Sequence, residues 1–124
     1  MSTKVVDASA VIAVLLDEPN AEKVTPLMDG HELQAPLLIV FEILSTCSVK
    51  ALSFPEKRAI FEEALRKFVR LGIGLHEIDP EEVFDLALHH KLTGYDASYL
   101  WLAEKLEAEL VTLDRQLERA ISAT

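Results

Sequence analysis

Four carboxylates of this chain stand in apolar company, where even a neutral polar group costs about 2–7 kcal/mol to bury unpaired and a charge costs more. Asp7 sits inside "KVVDASAVIAVLL", flanked by Val5, Val6, Ala8, Ala10, Val11 and Ile12. Glu42 interrupts the run "LLIVFEIL", Asp96 introduces "DASYLWLAEKLEA", and Asp114 ends "ELVTLD". Each has an ordinary explanation when taken singly. Asp96 and Asp114 suit helix N-caps, Asp7 suits backbone bonds in a strand-to-helix turn, and Glu42 suits a buried arginine partner or an outward position. Those explanations need a separate compensation for each acid, whereas one divalent cation serves them all. Carboxylates crowded together raise one another's pKa, and a cation relieves that repulsion. With oxygen ligands only, the ion is hard, Mg²⁺ or Mn²⁺, held partly through water.

The remaining chemistry-bearing residues read more plainly. Ser9 and Thr112 lie two residues from Asp7 and Asp114, on the same strand face if the extended geometry persists. They are auxiliary candidates that tune the acids or touch a phosphate, alongside the plain readings of Ser9 as a helix cap and Thr112 as a β-former. His89 and His90 are adjacent, so on a helix they project about 100° apart and do not clamp zinc as an i, i+4 pair would. With His31 and His76 they are taken as ordinary side chains. Glu22, Glu56, Glu62, Glu63, Glu81, Glu82, Glu104, Glu107 and Glu118 have charged or capping neighbours and read as solvated faces and helix starts. The cations of "KRAIFEEALRKFVR" alternate with Glu62 and Glu63, which suggests a solvated mixed-charge face.

The elements that must carry the acids follow from periodicity and capping. Residues 3–7 form a β-rich run, and Ser9 caps a helix built on Val11, Ile12, Leu15 and Leu16. "NAEKVTPLMDG" gives a helix with Pro26 as an awkward guest, "HELQA" a brief strand, and Pro36 opens the helix "PLLIVFEILSTCSVKAL". Ser53 and Glu56 form a capping box for "SFPEKRAIFEEALRKFVRLG", and "IGLHEI" alternates as a strand. Asp79, Pro80 and Glu82 cap a helix that runs through His90 and breaks at Gly94. "DASYLWLAEKLEA" is helical, "ELVTL" a buried strand and "DRQLERAIS" a last helix. Strands alternating with helices indicate an α/β domain with a mostly parallel sheet. Ligands of such sheets gather beyond the carboxyl ends of the strands, where Asp7 and Asp114 both lie, and right-handed crossovers bring neighbouring strand ends to one edge.

The whole chain agrees with one folded domain over residues 1–124. Half of its residues are hydrophobic, enough for a core without staples, and Cys47 alone permits no internal disulfide. A reducing, cytoplasmic setting with no membrane span is expected. The formal net charge of −9 argues against holding nucleic acid by blanket phosphate neutralisation, so a polyanionic substrate would need metal ions or local basic patches.

Taken in order, "VVDASAVIAVLL", "FEILS" and "TGYDASYLWLAEKLEAELVTLD" resemble the opening, the helix-borne glutamate and the late two-aspartate block of the PIN-domain endoribonucleases, particularly the VapC-type toxins of toxin–antitoxin pairs. The resemblance covers nearly the whole chain. It implies a three-layer α/β/α fold with a mostly parallel sheet of four to five strands. It also implies that Asp7, Glu42, Asp96 and Asp114 are the catalytic, Mg²⁺- or Mn²⁺-binding acids, with Ser9 and Thr112 as hydroxyl neighbours. The implied reaction is hydrolysis of RNA phosphodiesters to 5′-phosphate and 3′-hydroxyl ends, and the implied partners are a second copy of the chain and a small antitoxin. Members of the family often add a short strand after the final helix, whereas this chain stops at "RAISAT". Two other readings compete. A haloacid-dehalogenase-like phosphatase would need a second Asp where Ser9 stands, and a PIN-like fold without activity would bind RNA or protein only.

Overall fold

The computed structural model describes residues 2–123. The elements are β1 (Thr3–Val6), α1 (Ala8–Leu15), α2 (Ala21–Met28), β2 (Glu32–Pro36), α3 (Leu38–Ser53), a 3₁₀ turn (Pro55–Lys57), α4 (Arg58–Arg70), β3 (Gly74–His76), α5 (Pro80–His90), α6 (Gly94–Leu106), β4 (Glu109–Val111) and α7 (Arg115–Ala123). The sheet is four-stranded in the order β3-β2-β1-β4, and every pair is parallel. Val5 and Val6 of β1 are both wholly buried, as expected for a strand covered on both faces.

The layers follow from the connections. Passage from β1 to β2 and on to β3 steps one way across the sheet and places α1 to α4 on one face. The return from β3 to β4 steps the other way, so α5 and α6 cover the opposite face. There α6 packs on β1, β2 and β4, with α5 and α7 beside it, while α1 packs against α2, α3 and α4. The core joins Val5, Val11, Ile39, Ile43, Leu102 and Leu117. This is the expected three-layer α/β/α arrangement. Among the described residues the sheet has four strands, and no helix is long and apolar enough to cross a membrane.

Several element starts differ from the sequence reading. Helix α1 is capped by Asp7, whose side chain accepts from the Ala10 amide, so Ser9 is one residue inside the helix. Ser53 and Glu56 form no capping box. Pro55 forces Phe54 out of helical geometry (φ −131°, ψ 69°), Ser53 ends α3, and α4 begins only after the 3₁₀ turn. Gly94 starts α6 rather than breaking a helix, because Thr93 accepts from the Asp96 amide as its cap. Asp96 therefore lies in the first turn and not at the cap. Pro36 ends β2, and α3 opens at Leu38. Asp79 does cap α5, accepting from the amides of Glu81 and Glu82. The mixed-charge face of α4 is also present, with Arg58 paired to Glu62 and Arg66 and Arg70 paired to Glu63.

Leu117 anchors α7 with no exposed surface, whereas Leu52 at the end of α3 is 82% exposed. Leu117→Ala is expected to lose about 2–5 kcal/mol and Leu52→Ala to stay within about 0.5 kcal/mol. Urea midpoints of the two variants against the parent measure the difference.

Candidate active site

The C-terminal ends of β1 and β4 meet at the point where the sheet's strand order reverses, which is where ligands bind in open parallel sheets. Asp7 follows β1 directly, and its backbone N–H extends the ladder to the Val111 carbonyl at 3.2 Å. Its side chain is only 4% exposed. Oδ1 accepts from the Ala10 amide at 3.0 Å and from Ser9 Oγ at 2.7 Å, and Oδ2 accepts from Thr112 Oγ1 at 2.5 Å. The two hydroxyls are also acceptors. Ser9 Oγ takes the Leu113 amide at 3.0 Å, and Thr112 Oγ1 takes the Asp114 amide at 2.9 Å. Their protons are thus committed to Asp7, which supports tuning of that acid over direct contact with a phosphate.

Asp114 caps α7, accepting from the Leu117 amide at 3.0 Å. Capping and site membership are not alternatives here, since Oδ2 takes no part in the cap bond. Glu42, half-buried on α3, receives a hydrogen bond from the Tyr99 hydroxyl at 2.5 Å. Tyr99 is 2% exposed and lies three residues beyond Asp96, so α6 presents both on one face. In the stretch "DASYLWL" only Asp96 stands out by charge. The i, i+3 spacing from Asp96 was the signal of the role of Tyr99.

The acids share one electrostatic neighbourhood. Burial pushes the Asp7 carboxyl up from its usual range against the pull of its three hydrogen bonds, and the charge of Asp114 adds to the rise. Glu42 is raised by burial and by the charges of Asp7 and Asp96, with the Tyr99 bond opposing. Asp96 is raised by burial and by Asp114 and Asp7. Burial and the Glu42 carboxylate hold the Tyr99 phenol protonated, so it remains a donor. Among the described residues the lysine and arginine ion pairs all lie elsewhere, on Glu109, Glu62, Glu63 and Glu82.

This is a donor set of carboxylate oxygens with no basic partner, which fits a hard divalent cation. Among the described residues no three carboxylate, imidazole or thiol groups already form a chelating cage. Glu42, Asp96 and Asp114 are only partly buried, which suits an ion that keeps part of its water shell.

A doubly wound parallel sheet with an uncompensated acidic cluster at its switch point defines an α/β domain whose site calls for cations. The profile of the PIN domain family matches residues 4–121. The chain is 34% identical over 124 residues to ribonuclease VapC3 of Pyrobaculum aerophilum, covering 96% of this chain and 95% of that protein. It is also 34% identical over 115 residues to ribonuclease VapC9 of Mycobacterium tuberculosis, covering 91% of this chain and 87% of that protein. The crystal structure of PAE2754 from Pyrobaculum aerophilum superposes with a TM-score of 0.78 at 28% identity, over 96% of this chain and 84% of that one. The chain belongs to the PIN domain family.

Two stability measurements test the balance at Asp7. Asp7→Asn keeps the acceptor toward Ser9 and Ala10 and removes the repelled charge, so without metal it should stay within about 1 kcal/mol of the parent, whereas Asp7→Ala loses the cap and about 0.5–2 kcal/mol. The raised pKa values of Asp7, Glu42 and Asp96 mean that the folded state binds more protons than the unfolded chain. Their contribution to stability is whole below the unfolded values of 3.8 and 4.5 and is lost as pH rises through the raised folded ones. In chelator, the parent should therefore lose more stability than Asp7→Asn as pH is raised above about 4, read from urea midpoints at each pH.

Proposed function

We propose that the chain is a metal-dependent endoribonuclease, the toxin of a toxin–antitoxin pair, that hydrolyses RNA phosphodiesters to 5′-phosphate and 3′-hydroxyl ends. The observation that carries this reading is the cluster of mutually repelling acids at the sheet's switch point, with Asp7 buried and no base beside it. Relatives named as ribonucleases at 34% identity support the substrate class.

Asp7, Glu42, Asp96 and Asp114 hold Mg²⁺ or Mn²⁺ in this reading. A divalent cation supplies an activated water and neutralises charge that builds on phosphorus, so no Ser, Cys or His nucleophile is needed. The chain's own part is to fix the ligands. Ser9 and Thr112 lock both Asp7 oxygens in place, and the Tyr99 hydroxyl holds the Glu42 carboxylate, which lies within reach of the charges of Asp7 and Asp96. Such outer-shell partners orient ligands and tune them. The phosphatase alternative is weakened at Ser9, which is a donor to Asp7 where that chemistry requires a second acid.

Two protein partners belong to the proposal. A continuous apolar surface runs from Glu42 over Leu38, Phe41 and Tyr95 to Phe84 and Leu88, with Phe41, Phe84, Leu88 and Tyr95 each more than 60% exposed. Large contiguous apolar patches mark interaction sites, and a second copy of the chain and a small antitoxin are the proposed occupants of apolar surface. The setting proposed is the cytoplasm.

RNA cleavage should require Mg²⁺ or Mn²⁺ and stop in excess EDTA. Asp7→Asn, Glu42→Gln, Asp96→Asn and Asp114→Asn should each reduce it by more than the roughly 10–100-fold typical of losing an outer-shell partner. Cleavage that persists undiminished in chelator overturns metal dependence, as judged by gel assay of a labelled RNA. Light scattering at micromolar concentration should give twice the chain mass, and a monomer would count against the dimer.

A further inference from the structure

We infer that the groove between the end of α5 and α7 binds the sugar–phosphate backbone of the RNA strand that reaches the acidic cluster. The inference rests on the ribonuclease reading and gives it a substrate track. The groove has a volume of about 360 Å³ and is lined by His89, His90, Lys91, Gln116 and Arg119, with Leu92 and two alanines of α7 completing its walls.

Its composition is the first reason. The chain carries 21 Asp and Glu against 12 Lys and Arg, yet among the described residues no carboxylate lines this groove. Its polar lining is a guanidinium, an ammonium, two imidazoles and an amide, which favours an anion rich in oxygen acceptors. The charges there are also available. Arg58, Arg66 and Arg70 are taken up by Glu62 and Glu63, Lys4 by Glu109 and Lys105 by Glu82. Lys91 and Arg119 have no carboxylate partner among the described residues.

Position is the second reason. One wall leads from Lys91 through Leu92 and Thr93 into the first turn of α6, which carries Asp96. The other wall is α7, whose N-cap is Asp114. Arg119 lies five residues beyond Asp114, about 7.5 Å along the helix axis at 1.5 Å per residue. Arg119 is also turned about 140° from Asp114 around the axis, at about 100° per residue, so the groove meets a strand to one side of the acids and not over them. The cations of α4 lie on the far face of the sheet. A net charge of −9 repels RNA from the molecule as a whole, and a short cationic track leading toward the acids is the local remedy.

The test uses fluorescence anisotropy of a 5′-labelled single-stranded RNA, with Asp7→Asn in every protein so that the strand stays intact, in Mg²⁺ over a series of salt concentrations. Lys91→Glu with Arg119→Glu should weaken binding about tenfold or more and make the plot of log K against log salt shallower by about 1.4, at about 0.7 per lost phosphate contact. Lys57→Glu in the 3₁₀ turn with Lys67→Glu on α4 alters the net charge equally and should change affinity less than about twofold. Thermal melts check that each variant folds, and Lys91→Gln and Arg119→Gln made singly should each lower the slope by about 0.7 if the double variant does not fold. Equal losses in the two double variants, or no loss in either, overturn the groove. If the protein lacking the Asp7 change binds RNA through this groove but cuts none, the nuclease reading fails while the groove stands. If it cuts RNA while both double variants bind alike, the groove alone fails.

Discussion

The buried Asp7 carboxylate is the interaction on which the site is built. Two oxygens, hidden from water, accept one amide and two hydroxyls, and those donors come from both sides of the β1–β4 seam. The Ser9 and Thr112 hydroxyls then accept amides from the turn before α7, so a single acid ties the start of α1 to the start of α7. A charge held this way remains costly, because burial outweighs the hydrogen bonds and keeps its pKa up. The fold thus maintains an acid that would gain from a cation, in a frame that does not let it turn away.

The Tyr99–Glu42 hydrogen bond does comparable work across the molecule. Helix α3 belongs to one helical layer and α6 to the other, and this bond joins them beyond the end of the sheet. It sets the fourth acid at a fixed relation to Asp96, which shares a helix face with Tyr99. Parallel topology supplies the convergence, since strands that point one way deliver their final residues, and the helices that follow them, to a single edge.

Much of this was legible in the residues themselves. The alternation of strands and helices and the four acids in apolar settings could be read because the first is a matter of periodicity and the second of burial cost. Helix starts were less legible. Ser9 has the chemistry of a cap, yet Asp7 occupies the cap because its carboxylate reaches the Ala10 amide while Ser9 is turned toward Asp7 and β4. At Ser53 the helix-start pattern was correct in letters and wrong in place, since Pro55 imposes its own turn. Tyr99 and the α5–α7 groove were hidden for another reason. Both depend on which elements meet in space, and no local pattern records that Glu42 faces Tyr99 or that Lys91 lies across from Arg119.

Strand β4 contributes Thr112 and Asp114 from just beyond its end, yet it is three residues long and lies at the margin of the sheet, paired only to β1. Its Leu110 and Val111 are buried in the core, so side-chain packing holds the strand in place more than the length of its ladder does. Opening there would undo the clamp on Asp7 and scatter the acids while β1, β2 and their helices stay folded. The integrity of the whole acidic cluster thus hangs on one strand pairing, and whatever binds across β4 and α7 would brace it without touching an acid.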